Sequence, residues 1–198
     1  MPATLMSTDS QTRVQQAAWL RKLYFIRAAF SLAWVALAFT IAKQSALLAS
    51  ALLIVYPAWD ALANLWDARM TGGTAANRTQ MLNAGISAAV TAAVAIAAAG
   101  SAQSALRIFG AWAILSGLLQ LATAIRRRTG NRGQWVMMLS GAQSALAGGF
   151  FMTPQAGAKP VMETIGGYAA VGAVYFLISA LVLQFRKGDS GDRAAIEA

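Results

Sequence analysis

Long apolar segments recur along this chain from residue 23 almost to residue 185, without a polar stretch long enough to form the surface of a second domain. Six of these segments are long enough to cross ~30 Å of hydrocarbon as helices, which takes about 20 residues each. Lipid offers no hydrogen-bond partner to an open strand, so a spanning segment must be helical. We therefore predict an all-α integral membrane protein with transmembrane helices at residues 23–42, 45–66, 80–99, 104–125, 135–153 and 161–185.

The composition excludes an ordinary water-soluble domain. Charged residues make up 12% of the chain and hydrophobic residues 58%, whereas soluble domains carry about 25% charged residues. The formal net charge of +9 would suggest nucleic acid if it formed one basic face. Here the basic residues are spread between the apolar segments. This distribution is typical of residues that set membrane topology and contact lipid headgroups. We expect the lipid bilayer, and no nucleic acid, as a partner.

Basic residues are concentrated in alternate segments outside the predicted helices. The first, third, fifth and seventh segments hold twelve Lys and Arg residues, against Lys43 and Lys159 in the others. Loops on the cytoplasmic side of a membrane carry such an excess, so the bias predicts that both termini are cytoplasmic. The twelve residues are Arg13, Arg21, Lys22, Arg69, Arg78, Arg126, Arg127, Arg128, Arg132, Arg186, Lys187 and Arg193.

The predicted helices form one bundle built from a repeated unit. We assign residues 1–20 to a cytoplasmic N-terminal tail, 21–187 to the bundle and 188–198 to a cytoplasmic C-terminal tail. Short turns join the helices as three antiparallel hairpins at 23–66, 80–125 and 135–185. Ala29, Gly85 and Gly141 follow one another at intervals of 56 residues. Such self-similarity predicts one hairpin used three times, related by an axis along the membrane normal.

The residues that usually perform catalysis are missing from the sequence. The chain has no Cys and no His, which removes thiolate chemistry together with the commonest general base and the commonest metal ligand. An intramembrane enzyme is therefore the weakest of the functional hypotheses. We predict no catalytic residues, no metal site and no cofactor.

Four ionisable residues lie inside the predicted helices, where a charge at the bilayer centre costs about 2.5–3.5 kcal/mol. Arg27 and Asp60 are opposite in sign and both lie about 7–11 Å inside the cytoplasmic boundary, so we predict that they pair across the first hairpin. Arg107 and Glu163 lie near the outer ends of helices 4 and 6 and could form a second pair. The alternative for Glu163 is a solvated position among the headgroups beside Lys159.

Other polar residues surround Asp60. Pro57 lacks a backbone donor and frees the carbonyl of Leu53, which predicts a helix kink beside the carboxylate, and Asn64 stands one turn away on the same face. Two interpretations remain open: the polar residues hold the helices together, or they form a pocket for a substrate or a proton. Three more amide side chains, on helices 3, 4 and 5, lie at similar depths and could converge there: Asn83, Gln120 and Gln143.

Taken together, these features resemble the HdeD-like membrane proteins, which are built from a short repeated two-helix unit and are associated with acid resistance in enteric bacteria. The resemblance covers residues 21–187 and rests on the Arg-rich loop, on Trp135 at the start of helix 5, on Gly141 and on Pro154. Helices 1 and 2 depart most, because Arg27 and Asp60 stand where apolar residues are expected.

The resemblance implies a non-enzymatic protein of the bacterial inner membrane that acts in stress resistance, and in acid resistance in particular. Such a bundle would act by assembling with a second copy or with another membrane protein, or by altering the bilayer. The alternative is a small transporter or channel that uses the polar cluster around Asp60. Liposome flux of the wild type beside an Asp60→Asn variant would discriminate between the two.

The charge bias yields a test of topology. A reporter that is active only in the periplasm should give no signal when it is fused after Ala198, because the C-terminus is expected in the cytoplasm. Periplasmic signal from this fusion would contradict the predicted orientation of every helix.

Overall fold

The structure, a computed structural model, describes residues 3–129, 134–154, 156 and 160–196. These residues form six α-helices, with a short 3₁₀ turn at Ala42–Gln44 between the first two. No residue in the described ranges lies in a β-strand, in agreement with the all-α prediction. The helices are α1 (Ala3–Thr40), α2 (Ala46–Met70), α3 (Arg78–Gly100), α4 (Ala102–Arg127), α5 (Gln134–Phe151) and α6 (Val161–Ile196).

Two serines begin α2 and α4 in the same way. The side chain of Ser45 accepts a hydrogen bond from the backbone N–H of Leu48 at 3.5 Å, and that of Ser101 accepts one from Ser104 at 3.4 Å. Each serine thereby satisfies one of the N–H groups that the start of a helix leaves open. The two serines are 56 residues apart, which is the interval of the predicted repeat. The turns before α2 and α4 therefore share one local structure.

Polar side chains fill part of the interior, while large apolar side chains cover the outside. Leu47 and Ile96 are each 78% exposed, whereas Gln80 and Asn83 are 2% and 4% exposed. Apolar surface that stays exposed to water forgoes about 25 cal/mol per Å² of stabilisation. Apolar surface that contacts lipid has no such cost. The distribution therefore fits a bundle whose outer surface contacts hydrocarbon.

Five of the described helices are long and apolar enough to cross a membrane. They are α2, α3, α4 and the segments Val14–Thr40 of α1 and Val161–Phe185 of α6. The predicted span at 135–153 corresponds to α5, which has 18 residues and is not among the five. Gln134 and Gln143 lower the mean hydropathy of α5. The structure thus supports five of the six predicted spans.

The predicted boundary between the N-terminal tail and the bundle differs from the structure. α1 is one helix of 38 residues that begins at Ala3, and Trp19 and Leu20, which the prediction placed in the tail, are 9% and 1% exposed. They pack into an apolar cluster with Leu23, Tyr24 and residues of the later helices. At the other terminus, α6 continues to residue 196, past the predicted end of the bundle. Burial of Trp19 and Leu20 therefore brings the packed part of the bundle at least as far as residue 19.

The helices pack most extensively between the predicted hairpins. The three largest interfaces join α4 with α5, α1 with α6, and α2 with α3. Among the predicted hairpins, α3 and α4 also share a large interface, but α1 with α2 and α5 with α6 share small ones. Each even-numbered helix therefore packs against the odd-numbered helix that follows it, and α6 closes on α1. The first and the last of the described helices are therefore neighbours.

Glycines allow α4 and α5 to approach closely. A Cβ atom added at Gly117 would lie 2.6 Å from the carbonyl oxygen of Gly141, and one added at Gly141 would lie 2.7 Å from that of Gly117. Two helical turns away along both helices, Gly110 and Gly148 face each other in the same way. The repeat position does not predict this packing, because Gly85, which precedes Gly141 by one repeat, has open space where its Cβ would be.

Adjacent glycines of α5 provide a matched test of this contact. Gly148→Ala should lower the free energy of unfolding by about 1–3 kcal/mol, because the new methyl group meets the backbone of α4. Gly149→Ala should be neutral or slightly stabilising, because nothing lies within 4 Å of its added Cβ and alanine favours helix by up to about 1 kcal/mol. The measurement is reversible unfolding of the purified variants in one detergent. Equal stabilities would contradict the close contact.

Candidate functional site

Asp60 is the centre of a hydrogen-bonded network inside the bundle. Its Oδ1 atom accepts a hydrogen bond from Arg27 on α1 and forms an ion pair with it. Its Oδ2 atom accepts hydrogen bonds from Asn64 at 3.0 Å and from Ser87 on α3 at 2.8 Å. Trp112 on α4 donates in turn to Ser87 at 2.9 Å. The predicted pairing of Arg27 with Asp60 is therefore present, and the network ties together four helices.

A second buried ion pair lies two helical turns further along α2. Asp67 pairs with Arg127 of α4 at 2.9 Å and accepts a hydrogen bond from the indole N–H of Trp19 at 3.2 Å. The side chains of Asp67 and Arg127 are 7% and 14% exposed. Sequence reasoning missed this pair, because it assigned both residues to loops. The signal that could have found it is the spacing of Asp60, Asn64 and Asp67, which places all three on one face of α2.

Polar contacts continue to the ends of these helices. Arg126 donates to Thr79 and to Gln80, each at 2.9 Å, and Asn77 donates to the backbone carbonyls of Ala68, Thr71 and Gly73 at 2.9–3.2 Å. These bonds close the loop between α2 and α3, where Gly72 and Gly73 have φ angles of +107° and +88° that favour glycine. We call this part of the bundle, which holds Asp67, Arg126 and Arg127, the arginine end.

A small cavity separates the two ion pairs. Its volume is about 40 Å³, and one wall is apolar, formed by Leu23, Met137 and Phe176. Asn83 and Gln120 line it, as their predicted convergence requires, and the Oδ1 atom of Asn83 is buried with no hydrogen-bond partner among the described residues. The other polar residues that line the cavity are Tyr24, Arg27, Asn64, Asp67, Gln80, Thr123, Arg127 and Gln134.

Gln143 does not join this group. It lines a separate cleft of about 410 Å³ between α5 and α6, together with Glu163 and Tyr168. The cleft exists because α5 and α6 share only a small interface. The predicted convergence of Gln143 on Asp60 is therefore wrong, since α5 turns this residue towards α6. The structure shows the ion pairs of Arg27 with Asp60 and of Arg127 with Asp67, and the pairing of Arg107 with Glu163 stays a prediction.

Aromatic side chains fill the middle of the bundle beyond Asp60. The ring of Tyr56 lies 4.9 Å from that of Trp34 and 5.9 Å from those of Phe109 and Trp112, centroid to centroid. α2 continues as a helix through Pro57, which is fully buried. Trp34 donates to the carbonyl of Leu52 at 2.8 Å, next to the carbonyl that Pro57 leaves without its helical partner. We call this group of four rings the aromatic layer.

The helices, the apolar exterior and the paired charges inside it define a multi-pass helical membrane protein. Residues 83–153, from the second turn of α3 past the end of α5, match a protein family described as a short repeat of unknown function (DUF308). No curated protein and no solved structure matches the chain. The matched segment leaves out α1 and α2, the helices that depart most from the resemblance inferred from sequence.

The Arg27 and Asp60 pair generates a test of its own. Asp60→Ala strands the arginine and two hydrogen-bond donors in the interior, so it should lower the free energy of unfolding by about 3–5 kcal/mol. The double variant Arg27→Leu with Asp60→Leu removes both charges and should be clearly more stable than the single variant. Thermal unfolding in one detergent measures both. If the single and the double variant melt at the same temperature, the pair does not stabilise the bundle.

Proposed function

We propose that the chain is a non-enzymatic protein of the bacterial inner membrane that acts in stress resistance, and in acid resistance in particular. The observation that carries this proposal is that the buried charges are satisfied by the bundle itself. Both carboxylate oxygens of Asp60 and both of Asp67 accept bonds from protein side chains. Carboxylates that are held by donors on neighbouring helices in this way join those helices, as expected of residues that stabilise the bundle.

We infer the orientation in the membrane from the charge distribution. The arginine end brings together residues from the C-terminal ends of α2 and α4 and from the N-terminal ends of α3 and α5, so successive helices run in opposite directions. We assign this end to the cytoplasm, with both termini on that side, because Lys and Arg are retained there. The periplasmic end then holds the turns before α2 and α4.

We assign α5 as the sixth span. The glycine contacts keep α5 beside α4 from Gly117 and Gly141 at one level to Gly110 and Gly148 at another, so the two helices occupy the same depth. With 18 residues, α5 reaches about 27 Å at 1.5 Å per residue, which is close to the hydrocarbon thickness of ~30 Å. Its modest hydropathy is tolerable because much of it is covered by α4.

The family match supports the stress-resistance proposal through the resemblance to HdeD-like proteins. The match covers one repeat unit and part of the next, and the serine caps recur at the repeat interval. Both fit a chain built from three related hairpins. The partners we propose are the bilayer and either a second copy of the chain or another membrane protein.

The second candidate is a small transporter or channel, and the cavity beside Arg27 favours it. A path across the membrane would have to continue from this cavity past Asp60. Beyond Asp60 the path would meet the aromatic layer and an apolar cluster that contains Phe109 and Ile165. These two side chains are each 0% exposed. A channel would therefore require these rings to move, whereas a structural bundle requires them to stay.

Acid survival of cells tests the proposed function. In a strain that lacks the chain, wild type should restore survival of severe acid, and the double variant Arg27→Leu with Asp60→Leu should do so at matched expression, because the pair is structural. Asp60→Ala should fail in proportion to its loss of folded protein. If wild type restores nothing, the stress role is wrong. If the double variant is folded but inactive, the charges have a direct role.

Flux through liposomes separates the two candidates. Vesicles with purified wild type and with the Asp60→Asn variant should both leak protons and small ions no faster than empty vesicles. Flux above that of empty vesicles in the wild type, reduced by Asp60→Asn, would replace the structural proposal with the transporter.

A further inference from the structure

The carbonyl oxygen of Asn83 is a buried acceptor without a donor. Asn83 is 4% exposed and lines the cavity between the two ion pairs, and its Oδ1 atom is buried. Buried side-chain acceptors nearly always have a hydrogen-bond partner, from protein or from ordered water. Since the described side chains provide none, the partner must come from the content of the cavity.

The charges around the cavity determine which kind of molecule it can hold. Arg27 and Arg127 would repel a cation, while Asp67 and the Asn83 oxygen would repel an anion. Each charged residue is already paired, so the wall as a whole is close to neutral. The content must therefore be neutral, and it must donate to Asn83 while accepting from nearby amides. Water meets these requirements, and a volume of about 40 Å³ exceeds the roughly 10–15 Å³ that one molecule needs.

The Asp67 and Arg127 pair stands where this cavity approaches the surface at the arginine end. A surface cleft of about 180 Å³ opens at the arginine end, and its wall includes Thr71, Asn77 and Arg126. Arg127 lines both the cleft and the cavity. Its guanidinium group is held by Asp67 at 2.9 Å and donates to Thr71 at 3.2 Å. A movement of this one side chain would join the two spaces.

We infer that the cavity is a hydrated chamber, filled with water that exchanges through the Asp67 and Arg127 pair and closed towards the other end by the aromatic layer. The chamber brings water next to the Arg27 and Asp60 pair from the arginine end alone. This inference is independent of the proposed function, because a structural bundle and a transporter could both contain the chamber.

Radiolytic labelling of the full-length protein in lipid nanodiscs tests for the water. Ionising radiation converts bound water into hydroxyl radicals that hydroxylate the nearest aromatic ring. Tyr24 lines the chamber and Tyr56 lies in the aromatic layer, and they are similarly buried at 5% and 8% exposed. Tyr24 should therefore be hydroxylated several-fold more than Tyr56, with ¹⁸O incorporated when the solvent is H₂¹⁸O. Equal labelling of the two tyrosines in wild type would overturn the chamber.

A variant at Asn83 tests the position of the water. Asn83→Leu fills the chamber and removes the unpartnered acceptor, so labelling of Tyr24 should fall to the level of Tyr56 while the melting temperature stays at or above that of wild type. Unchanged Tyr24 labelling in a folded Asn83→Leu protein would overturn the proposed position of the water. If this variant does not fold, the comparison of the two tyrosines in wild type still decides the question.

The entrance has a matched control in the neighbouring arginine. Arg127→Gln should increase labelling of Tyr24, because the shorter side chain no longer closes the passage to the cleft. Arg128→Gln should leave labelling unchanged, since Arg128 is exposed at the end of α4 and lines neither space. Equal labelling in the two variants would overturn the assignment of the Asp67 and Arg127 pair as the entrance.

Discussion

The structure depends on two carboxylates that stand on one face of α2. Asp60 and Asp67 are separated by two helical turns and both point into the bundle, where an unpaired charge would be several kcal/mol less stable than in water. Each therefore needs a cation from another helix, and α1 supplies Arg27 while α4 supplies Arg127. These two bonds fix how far α1 and α4 can slide along α2. Trp19, Ser87 and Asn64 complete the coordination and extend the same constraint to the rest of α1 and to α3.

Much of the fold could be predicted because it follows from hydropathy and depth. The positions of the helices follow from the apolar segments, and the pairing of Arg27 with Asp60 follows from opposite charge at one depth. The Asp67 and Arg127 pair was missed for a physical reason: a helix end near the membrane boundary is equally compatible with solvent and with burial. The face of α2 shared by Asp60, Asn64 and Asp67 was visible in the sequence. This face continues past residue 66, where the predicted span ends, and Asp67 lies just beyond that limit.

The arrangement of the helices was harder to predict than their positions. Short turns suggest that consecutive helices are the closest partners, yet the largest interfaces lie between hairpins. The reason is local shape: Gly110, Gly117, Gly141 and Gly148 let α4 and α5 come closer than a turn alone could bring them. Lipid provides no hydrophobic drive between helices, so close packing of small residues decides which pairs form. Equivalent repeat positions such as Gly85 need not take part in such close packing. The packing of α5 against α4 also decides which way Gln143 points, and it points towards α6.

The contact between α1 and α6 has a consequence for biosynthesis. α1 is synthesised before α6, so it finds its most extensive partner only when α6 has been made. At roughly 5–20 residues per second, translation of the intervening chain takes on the order of ten seconds or more. During that time α1 can already bond to α2 through Arg27 and Asp60, while its face for α6 stays covered by lipid or by the insertion machinery. The nascent bundle is thus an open arc of helices that becomes a closed ring when α6 is inserted.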